Sequence, residues 1–361
     1  MSRPVDRPGL TAAGNPHDRD PKRPEGGLVL QNPRVWLGLV VSAASLGLLL
    51  YQVDLHELGT ALSGVRYEWL LAAIAIELAS LWVRGVRWRM ILEESVRVRN
   101  SDAFAVLMIG YAANNLLPLR AGELVRAQLM YTQHGTSRLA TLGTILVERV
   151  FDVLVLAIFV AAPIVALGGD PVLRGTALLL LLAALGATLL LALLALWPGF
   201  TTLIVAMLGV LPASIRPKAR ELLGAFLGGV RALRRPGPWL AVSAASTLTW
   251  LLEAGAFWLV GIGCGLTLNP VVYLVLSGAA TLVLVAPSTA GGIGLFELST
   301  RAVAGTFGVP LALGTAYALV LHLLVLLFPV VVIGLALLWR RHLGVGAMMS
   351  AGQAPAEGAA K

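Results

Sequence analysis

Cysteine, histidine and charged residues are all scarce in this chain, and each shortage argues against a class of function. Cys264 is the single cysteine among 361 residues, which excludes an internal disulfide and a cysteine-based metal site. The five histidines are scattered without the spacing of metal ligands, so we expect neither a metal nor a cofactor. The sequence contains no nucleotide-binding Gly-Lys-Ser/Thr loop, no dinucleotide fingerprint, no Gly-x-Ser-x-Gly elbow and no zincin motif. These absences argue against a reaction or transport step that is driven by ATP bound to this chain.

Charged residues make up only 13% of the chain, whereas 58% of the residues are apolar and the mean hydropathy is +0.84. A soluble domain usually has about 45–50% apolar and about 25% charged residues. Apolar runs recur as far as Trp339, and a helix that crosses hydrocarbon needs about 20 such residues. The composition therefore predicts an all-α integral membrane protein. We assign the net charge of +8 to basic loops that face anionic lipid, and we expect no nucleic-acid partner.

The chain divides into two tails and a membrane domain. The tails, residues 1–33 and 343–361, are expected to be disordered, and the membrane domain covers 34–342. Its halves are about 34–167 and 172–342, with a basic amphipathic linker, 213–237, expected to lie on the cytoplasmic leaflet unless it is a solvated connector. The domain holds eight hydrophobic segments: 35–52, 68–92, 102–117, 139–167, 172–196, 238–262, 271–296 and 311–339. The first lacks a cleavage site and is expected to be a retained span, and the fifth is expected to face lipid.

The positions of Lys and Arg favour six full spans plus two re-entrant hairpins. Eight simple spans would place two basic loops outside, against the positive-inside bias. If segments three and seven return to the side they left, the N- and C-termini are cytoplasmic and nearly all Lys and Arg residues are on the cytoplasmic side. The exceptions are Arg66, Arg174 and Arg301, which lie outside, and Arg149, which lies within a span. Each half then has the order span, span, re-entrant hairpin, span, which predicts an inverted repeat. Paired Gly/Pro interruptions in such repeats indicate a transporter binding site.

The first candidate site is the interruption that ends segment three. Pro118 and Gly122 are expected to stop the helix, and non-helical backbone at membrane depth is tolerated where it lines a cavity. The restarted helix would present free N–H groups and its positive dipole end to an anionic group. The alternative is an ordinary cytoplasmic loop whose arginines set the topology. The residues assigned here to headgroup binding are Asn114, Asn115, Arg120, Gly122, Glu123 and Arg126.

The second candidate site is the charged triplet Glu148, Arg149 and Asp152 inside segment four. Glu148 and Asp152 are four residues apart and share one helix face. Each charge at a helix centre costs about 2.5–3.5 kcal/mol on an insertion scale, so the three must face protein or water. We interpret them as the lining for a polar headgroup or a proton site. The alternative is a structural ion-pair knot with Arg120 or Arg126.

The third candidate site is the Gly-rich interruption of segment seven, where hydroxyl and backbone groups could bind a headgroup. A close-packed kink of small residues is the alternative. The residues assigned are Pro287, Ser288, Thr289, Gly291, Gly292 and Glu297, together with the mid-membrane Glu253. Glu77 is a weaker candidate. Arg84, Arg87 and Arg89 are expected to extend to the cytoplasmic surface.

Three strings resemble the lysylphosphatidylglycerol synthase transmembrane family, also called flippase-like domain proteins. They run from Asn114 to Glu123, from Glu148 to Asp152 and from Pro287 to Glu297, and Arg87-Trp88 is similar as well. The resemblance covers roughly residues 33–342. It implies lipid handling, because in the multiple-peptide-resistance proteins this part is linked to flipping aminoacylated phosphatidylglycerol. The soluble aminoacyl-transferase domain of those proteins is expected to be absent here, and other relatives are associated with hopanoid genes or glycosyltransferases.

The residues and the resemblance together predict a lipid translocase, not an enzyme, in a bacterial or archaeal cytoplasmic membrane. Its expected partners are membrane lipids, either an anionic phospholipid or a polyprenyl phosphate, with a separately encoded lipid synthase or glycosyltransferase as a further candidate. The alternatives are an enzyme or enzyme subunit acting on polyprenyl-phosphate or hopanoid lipids, and a non-catalytic partner of a lipid synthase. In the favoured interpretation, Glu148→Ala abolishes translocation and leaves the protein folded.

Overall fold

The computed structural model describes residues 33–93, 96–117, 121–166, 171–230, 236–284 and 290–341. Within these ranges all regular secondary structure is helical, which confirms the predicted all-α class. The predicted disordered tails lie outside the described residues, apart from Pro33, the first residue of the first helix.

The described part of the first half contains six helices, and two of their ends carry clear capping signals. The Asp54 carboxylate accepts hydrogen bonds from the backbone N–H groups of His56 and Glu57 and so caps the second helix. Gly135, with φ of 67°, ends the fifth in the left-handed conformation that glycine tolerates best. The helices are α1 (Pro33–Tyr51), α2 (Leu55–Ser63), α3 (Tyr67–Leu92), α4 (Asn100–Leu116), α5 (Gly122–His134) and α6 (Arg138–Ala166).

The second half ends in a long composite helix with a π-helical centre. It begins as α13 (Leu311–Leu319), continues through the π-helical segment (Val320–Leu327) and finishes as α14 (Phe328–Arg340). Before it come α7 (Pro171–Leu196), α8 (Pro198–Met207), α9 (Arg216–Val230), α10 (Pro236–Gly263), α11 (Val272–Val283) and α12 (Leu295–Thr306).

The predicted hydrophobic segments correspond to helices, and among the described residues four stretches are long and apolar enough to cross a membrane. These are Tyr67–Leu92, Arg174–Leu196, Gly237–Gly263 and Leu311–Arg340. The protein is therefore a multi-pass membrane protein, while six full spans with two re-entrant hairpins stays a prediction. Between predicted segments five and six, where the sequence predicts only the amphipathic linker 213–237, the described residues form two helices, α8 and α9. The additional helix α8 carries no charge and has proline in its first turn, where proline favours helix formation.

Several helix contacts within and between the two halves have equivalents. The central contact is between α3 and α10, which occupy corresponding positions in the two halves. Helix α4 packs on α14, and its counterpart α11 packs on α6. The pairs α4–α5 and α11–α12 are likewise equivalent, each interrupted by a break. This exchange of partners is what the predicted repeat requires.

Helix α7 exposes much of its apolar surface, as expected for a lipid-facing helix. Leu179 and Leu182 are 69% and 64% exposed. The core instead lies where α3, α10, α11 and the composite helix meet, with Phe257, Tyr273 and Tyr317 buried there. Polar groups inside this bundle are therefore shielded from lipid, which is the arrangement that intramembrane charges require.

Candidate functional site

The first break is a close helix hairpin between α4 and α5. Residues 118–120, which include Arg120, lie outside the described part of the chain. The backbone N–H of Gly122 donates to Asn114 Oδ1 over 2.7 Å. A Cβ atom on Gly122 would collide with the Gly110 carbonyl oxygen and the Asn114 amide. Glycine is therefore required at position 122 for the two helices to approach this closely.

The second break uses several glycines with positive φ. Residues 285–289, including the predicted Pro287, Ser288 and Thr289, lie outside the described residues. After them, Gly291, Gly292 and Gly294 have φ of 73°, 69° and 88°. The position that a Gly291 Cβ would take is 3.6 Å from the Asn115 carbonyl oxygen, so the two breaks meet. The structure thus brings together two regions that are about 175 residues apart in the sequence.

Four buried charged residues beside the breaks form what we call the ion-pair cluster: Arg87, Arg126, Glu148 and Asp152. Glu148 accepts from Arg126 over 2.8 Å with one oxygen and from Arg87 over 2.9 Å with the other. Asp152 accepts from Arg87 with both oxygens, at 2.5 and 3.2 Å. Two cations thus balance two anions. The ion-pair alternative named Arg126 as a partner of this segment but did not name Arg87.

Aromatic and polar side chains complete the shell of this cluster. The Arg126 guanidinium lies 4.0 Å from the ring centroid of Trp88, whose indole N–H donates to Thr144. The indole N–H of Trp250 donates to Asp152 over 2.9 Å. Arg87 was expected to extend to the surface, but its side chain is fully buried, so that prediction was wrong. The reason is that its counter-charges come from α6, which local sequence around Arg87 does not reveal.

A polar cavity of about 190 Å³ lies next to the ion-pair cluster. Arg84 lies in its wall, forms a buried ion pair with Glu253 and stacks 4.4 Å from the Trp250 ring centroid. Thr281 Oγ1 is 3.5 Å from the second Glu253 oxygen. Arg84 is 5% exposed, so the expectation that it extends to the surface was also wrong. Its partner lies 169 residues away on α10.

Two further charged residues in the cavity wall are held only loosely. Arg149 is 3.6 Å from Glu123 and 3.7 Å from Asp152, and its side chain is 34% exposed. These separations are longer than those inside the ion-pair cluster, so Arg149 can turn to a ligand at small cost. Glu77 is 4% exposed, and its Oε2 atom has no hydrogen-bond partner within the described ranges. Both side chains line the cavity.

The predicted site residues separate into three groups. The cavity wall contains Asn114, Asn115, Arg149, Glu253 and Gly291. The ion-pair cluster contains Arg126, Glu148 and Asp152, while Gly122, Glu123, Gly292 and Glu297 lie at the breaks or contact the wall.

Sequence reasoning missed several residues that line the cavity: Arg84, Tyr111, Trp250 and His322. A usable signal existed for Arg84, since a charge within an apolar span must face protein or water. No comparable signal singles out Tyr111 or Trp250, because aromatic residues are common in membrane helices. His322 is an isolated polar residue in a long apolar run, which is a weak signal by itself.

Comparison with known proteins identifies the family. Residues 35–334 match the family model described as the lysylphosphatidylglycerol synthase TM region. The chain is 25% identical over 293 residues to "Glycosyltransferase AglD" of Haloferax volcanii, covering 73% of this chain and 47% of that protein. It is 29% identical over 267 residues to a "UPF0104 membrane protein" of Methanothermobacter thermautotrophicus, covering 70% of this chain and 78% of that protein. The chain thus spans about half the length of the first relative. No solved structure matches it.

Proposed function

This chain belongs to the family of the lysylphosphatidylglycerol synthase TM region, and from that premise we propose that it is a lipid translocase. The observation that carries the proposal is that two helix breaks meet at a polar cavity inside an apolar bundle. Irregular backbone and unbalanced polar groups are costly at membrane depth and are retained where they serve a substrate. The cavity is large enough for a polar headgroup, while the acyl or prenyl chains remain in the lipid.

Arginine side chains and helix ends of the cavity suit a lipid phosphate. Arg149 is the first candidate, because its ion pairs are long and its side chain is partly exposed. Arg84 becomes available when Glu253 releases it. A guanidinium can hold two phosphate oxygens at once, which gives both affinity and orientation. The expected substrates are accordingly an anionic phospholipid or a polyprenyl phosphate, with Arg120 as a further phosphate ligand.

The ion-pair cluster is proposed to support the cavity without touching the lipid. Arg87 connects α3 to α6, and Arg126 connects α5 to α6, both through Glu148. Their side chains have almost no exposed surface. Glu148 thus holds the first break in position, and loss of transport in Glu148 variants would follow from loss of this support.

A second candidate function is enzymatic and is favoured by the name of one relative, a glycosyltransferase. In this alternative the chain acts on a polyprenyl-phosphate or hopanoid lipid, alone or as the membrane partner of a separately encoded glycosyltransferase or lipid synthase. Chromatography of lipids from a deletion strain distinguishes the two functions. A missing lipid product supports the enzyme, whereas an unchanged lipid inventory with altered leaflet distribution supports the translocase.

The direct test measures lipid movement in proteoliposomes that contain the purified protein. Fluorescent phosphatidylglycerol and a fluorescent polyprenyl phosphate are placed in one leaflet, and the fraction that reaches the other is followed with a membrane-impermeant quencher. Arg149→Gln should slow transfer about tenfold, since a charge-assisted hydrogen bond contributes roughly 1.5–3 kcal/mol. Arg89→Gln is the matched control, because Arg89 lies on α3 outside the cavity wall and pairs with Glu93. Failure of the wild-type protein to move either lipid contradicts the proposal.

A further inference from the structure

His322 is a buried histidine in the cavity wall to which the translocase proposal assigns no role. Its side chain is 5% exposed, and its ring stacks on Phe296 with centroids 4.2 Å apart. It lies in the π-helical segment, and π-helical turns are rare and are frequently found at functional sites. Of the histidines in the described ranges, only His322 lines the cavity. A titratable ring therefore stands where a headgroup would bind.

One carboxylate connects this ring to the second break. His322 Nδ1 and Glu297 Oε1 are 2.7 Å apart, and Glu297 is fully buried. The other oxygen of Glu297 accepts the backbone N–H of Gly294 over 2.7 Å. Adding a charge to the ring strengthens its bond to the carboxylate and redistributes the hydrogen bonding of Glu297. The protonation state of His322 is thus linked to how firmly Gly294 is held.

Gly294 lies in the second break, three residues after Gly291, which lines the cavity. Its φ of 88° is accessible at low cost to glycine and rarely to other residues. Three residues earlier, Gly291 lies against the Asn115 carbonyl of the first break and the Leu327 side chain of the π-helical segment. A change in the hydrogen bond of the Gly294 N–H can therefore alter the contact between the two breaks at Gly291.

The other charged and titratable groups that face the ring come from several helices. In the wall, Arg84 and Glu253 neutralise each other, so a proton on His322 changes the net charge that a ligand meets. Apart from Glu297 of α12, the groups in the cavity wall are Glu77 and Arg84 from α3, Glu253 from α10, Arg149 from α6 and Tyr111 from α4.

We propose that His322 and Glu297 form the proton-binding site of the translocation cycle, and that a proton and an anionic headgroup occupy the cavity together. In the neutral ring, Nδ1–H donates to the Glu297 carboxylate and Nε2 carries the lone pair. The proton binds to Nε2 and later leaves from Nε2, so an N–H bond is the only bond that forms and breaks. The added positive charge favours a phosphate, and by linkage the phosphate favours the proton to the same extent. This inference rests on the proposed function and supplies its energy source.

The first test imposes a pH gradient on the proteoliposome assay with fluorescent phosphatidylglycerol. Transfer from the acidic side should be about fivefold or more faster than transfer from the alkaline side, a ratio in the range of site-to-site coupling. His322→Gln can still donate to Glu297 but cannot bind the proton, so its rate should not depend on the gradient. His56→Gln is the matched control, because His56 is exposed on α2 and should leave the gradient dependence intact. The proton site is wrong if the transfer rate of the wild type does not depend on the pH gradient, or if the rate of His322→Gln still depends on it.

The second test needs no lipid transport and separates the two proposals. Ile293, which is 37% exposed between Gly292 and Gly294, is replaced by cysteine in a Cys264→Ala background. Its maleimide labelling is compared, from pH 5 to 8, with a cysteine at the exposed Ser63. The ratio should show one step between pH 5 and pH 8, and His322→Gln should remove it. No step, or a step that persists in His322→Gln, contradicts the proton site, whereas a step without lipid transfer in the first test contradicts the translocase alone.

Discussion

The ion-pair cluster and the cavity contain the same kinds of side chain, lie next to each other and are arranged in opposite ways. In the ion-pair cluster, Glu148 and Asp152 accept hydrogen bonds from two arginines, so the carboxylates are neutralised, although Nε of Arg87 and two guanidinium nitrogens of Arg126 have no hydrogen-bond partner within the described ranges. In the cavity, Arg149 has only long ion pairs and Glu77 has an oxygen without a partner among the described residues. An intramembrane charge alone therefore does not identify a binding site. Charge that the protein has not already neutralised is the better indicator.

The largest expected effect tests whether the ion-pair cluster is structural. Glu148→Ala leaves Arg87 and Arg126 buried without one of their counter-charges, which typically destabilises a protein by about 3–5 kcal/mol. The structure therefore predicts loss of folded protein, in contrast to the expectation from sequence that this variant stays folded. Thermal unfolding in detergent, followed by tryptophan fluorescence, measures the effect. Glu68→Ala, at an exposed position in the first turn of α3, should change stability by less than about 1 kcal/mol. Equal stabilities for the two variants would contradict the structural role.

An intermediate effect is expected at the first break, which connects the ion-pair cluster with the cavity. Gly122→Ala places a methyl group against the Gly110 carbonyl oxygen, so α4 and α5 must separate. Overpacking of this kind costs about 1–3 kcal/mol, and the shift should also reduce headgroup transfer because Asn114 and Asn115 lie in the cavity wall. Gly186→Ala on α7 is the control, since no atom lies within 4 Å of its added Cβ. Unfolding midpoints and proteoliposome transfer rates are to be measured for both. An unchanged Gly122→Ala protein would show that the hairpin is not tightly packed.

The smallest effect on stability, and the sharpest contrast with Glu148, is expected for Glu77→Gln. Its Oε2 atom has no partner to lose among the described residues, so the free energy of unfolding should change by less than about 1 kcal/mol. At a pH at which Glu77 is ionised, removing its negative charge from the cavity should tighten binding of an anionic headgroup by at least about tenfold, by Coulomb energy at an effective dielectric constant of about 20. Quenching of the cavity Trp250 by a spin-labelled phosphatidylglycerol in detergent reports the affinity. Loss of stability without a change in affinity would place Glu77 with the ion-pair cluster instead.

The helices were predictable because their signal is local. A run of apolar residues defines each predicted segment, and segment 172–196 coincides with α7 (Pro171–Leu196) to within one residue. The interruption at Pro118 and Gly122 was equally visible, since both residue types end helices. The partners of the charged residues were not predictable in this way. Arg87 and Asp152 are 65 residues apart, and nothing near Arg87 in the sequence distinguishes a buried arginine from one that extends to the surface.

The all-α membrane class, the hydrophobic segments, the family and the two breaks could be predicted without a structure, because they depend on composition and on neighbours along the chain. Which charges neutralise each other and which line a cavity became clear from the folded chain alone. Pairing of Arg84 with Glu253 and of His322 with Glu297 depends on contacts between helices that are distant in sequence. Desolvation makes those contacts decisive: in an apolar bundle an ionised group must find a partner, and the fold determines whether that partner is protein or ligand.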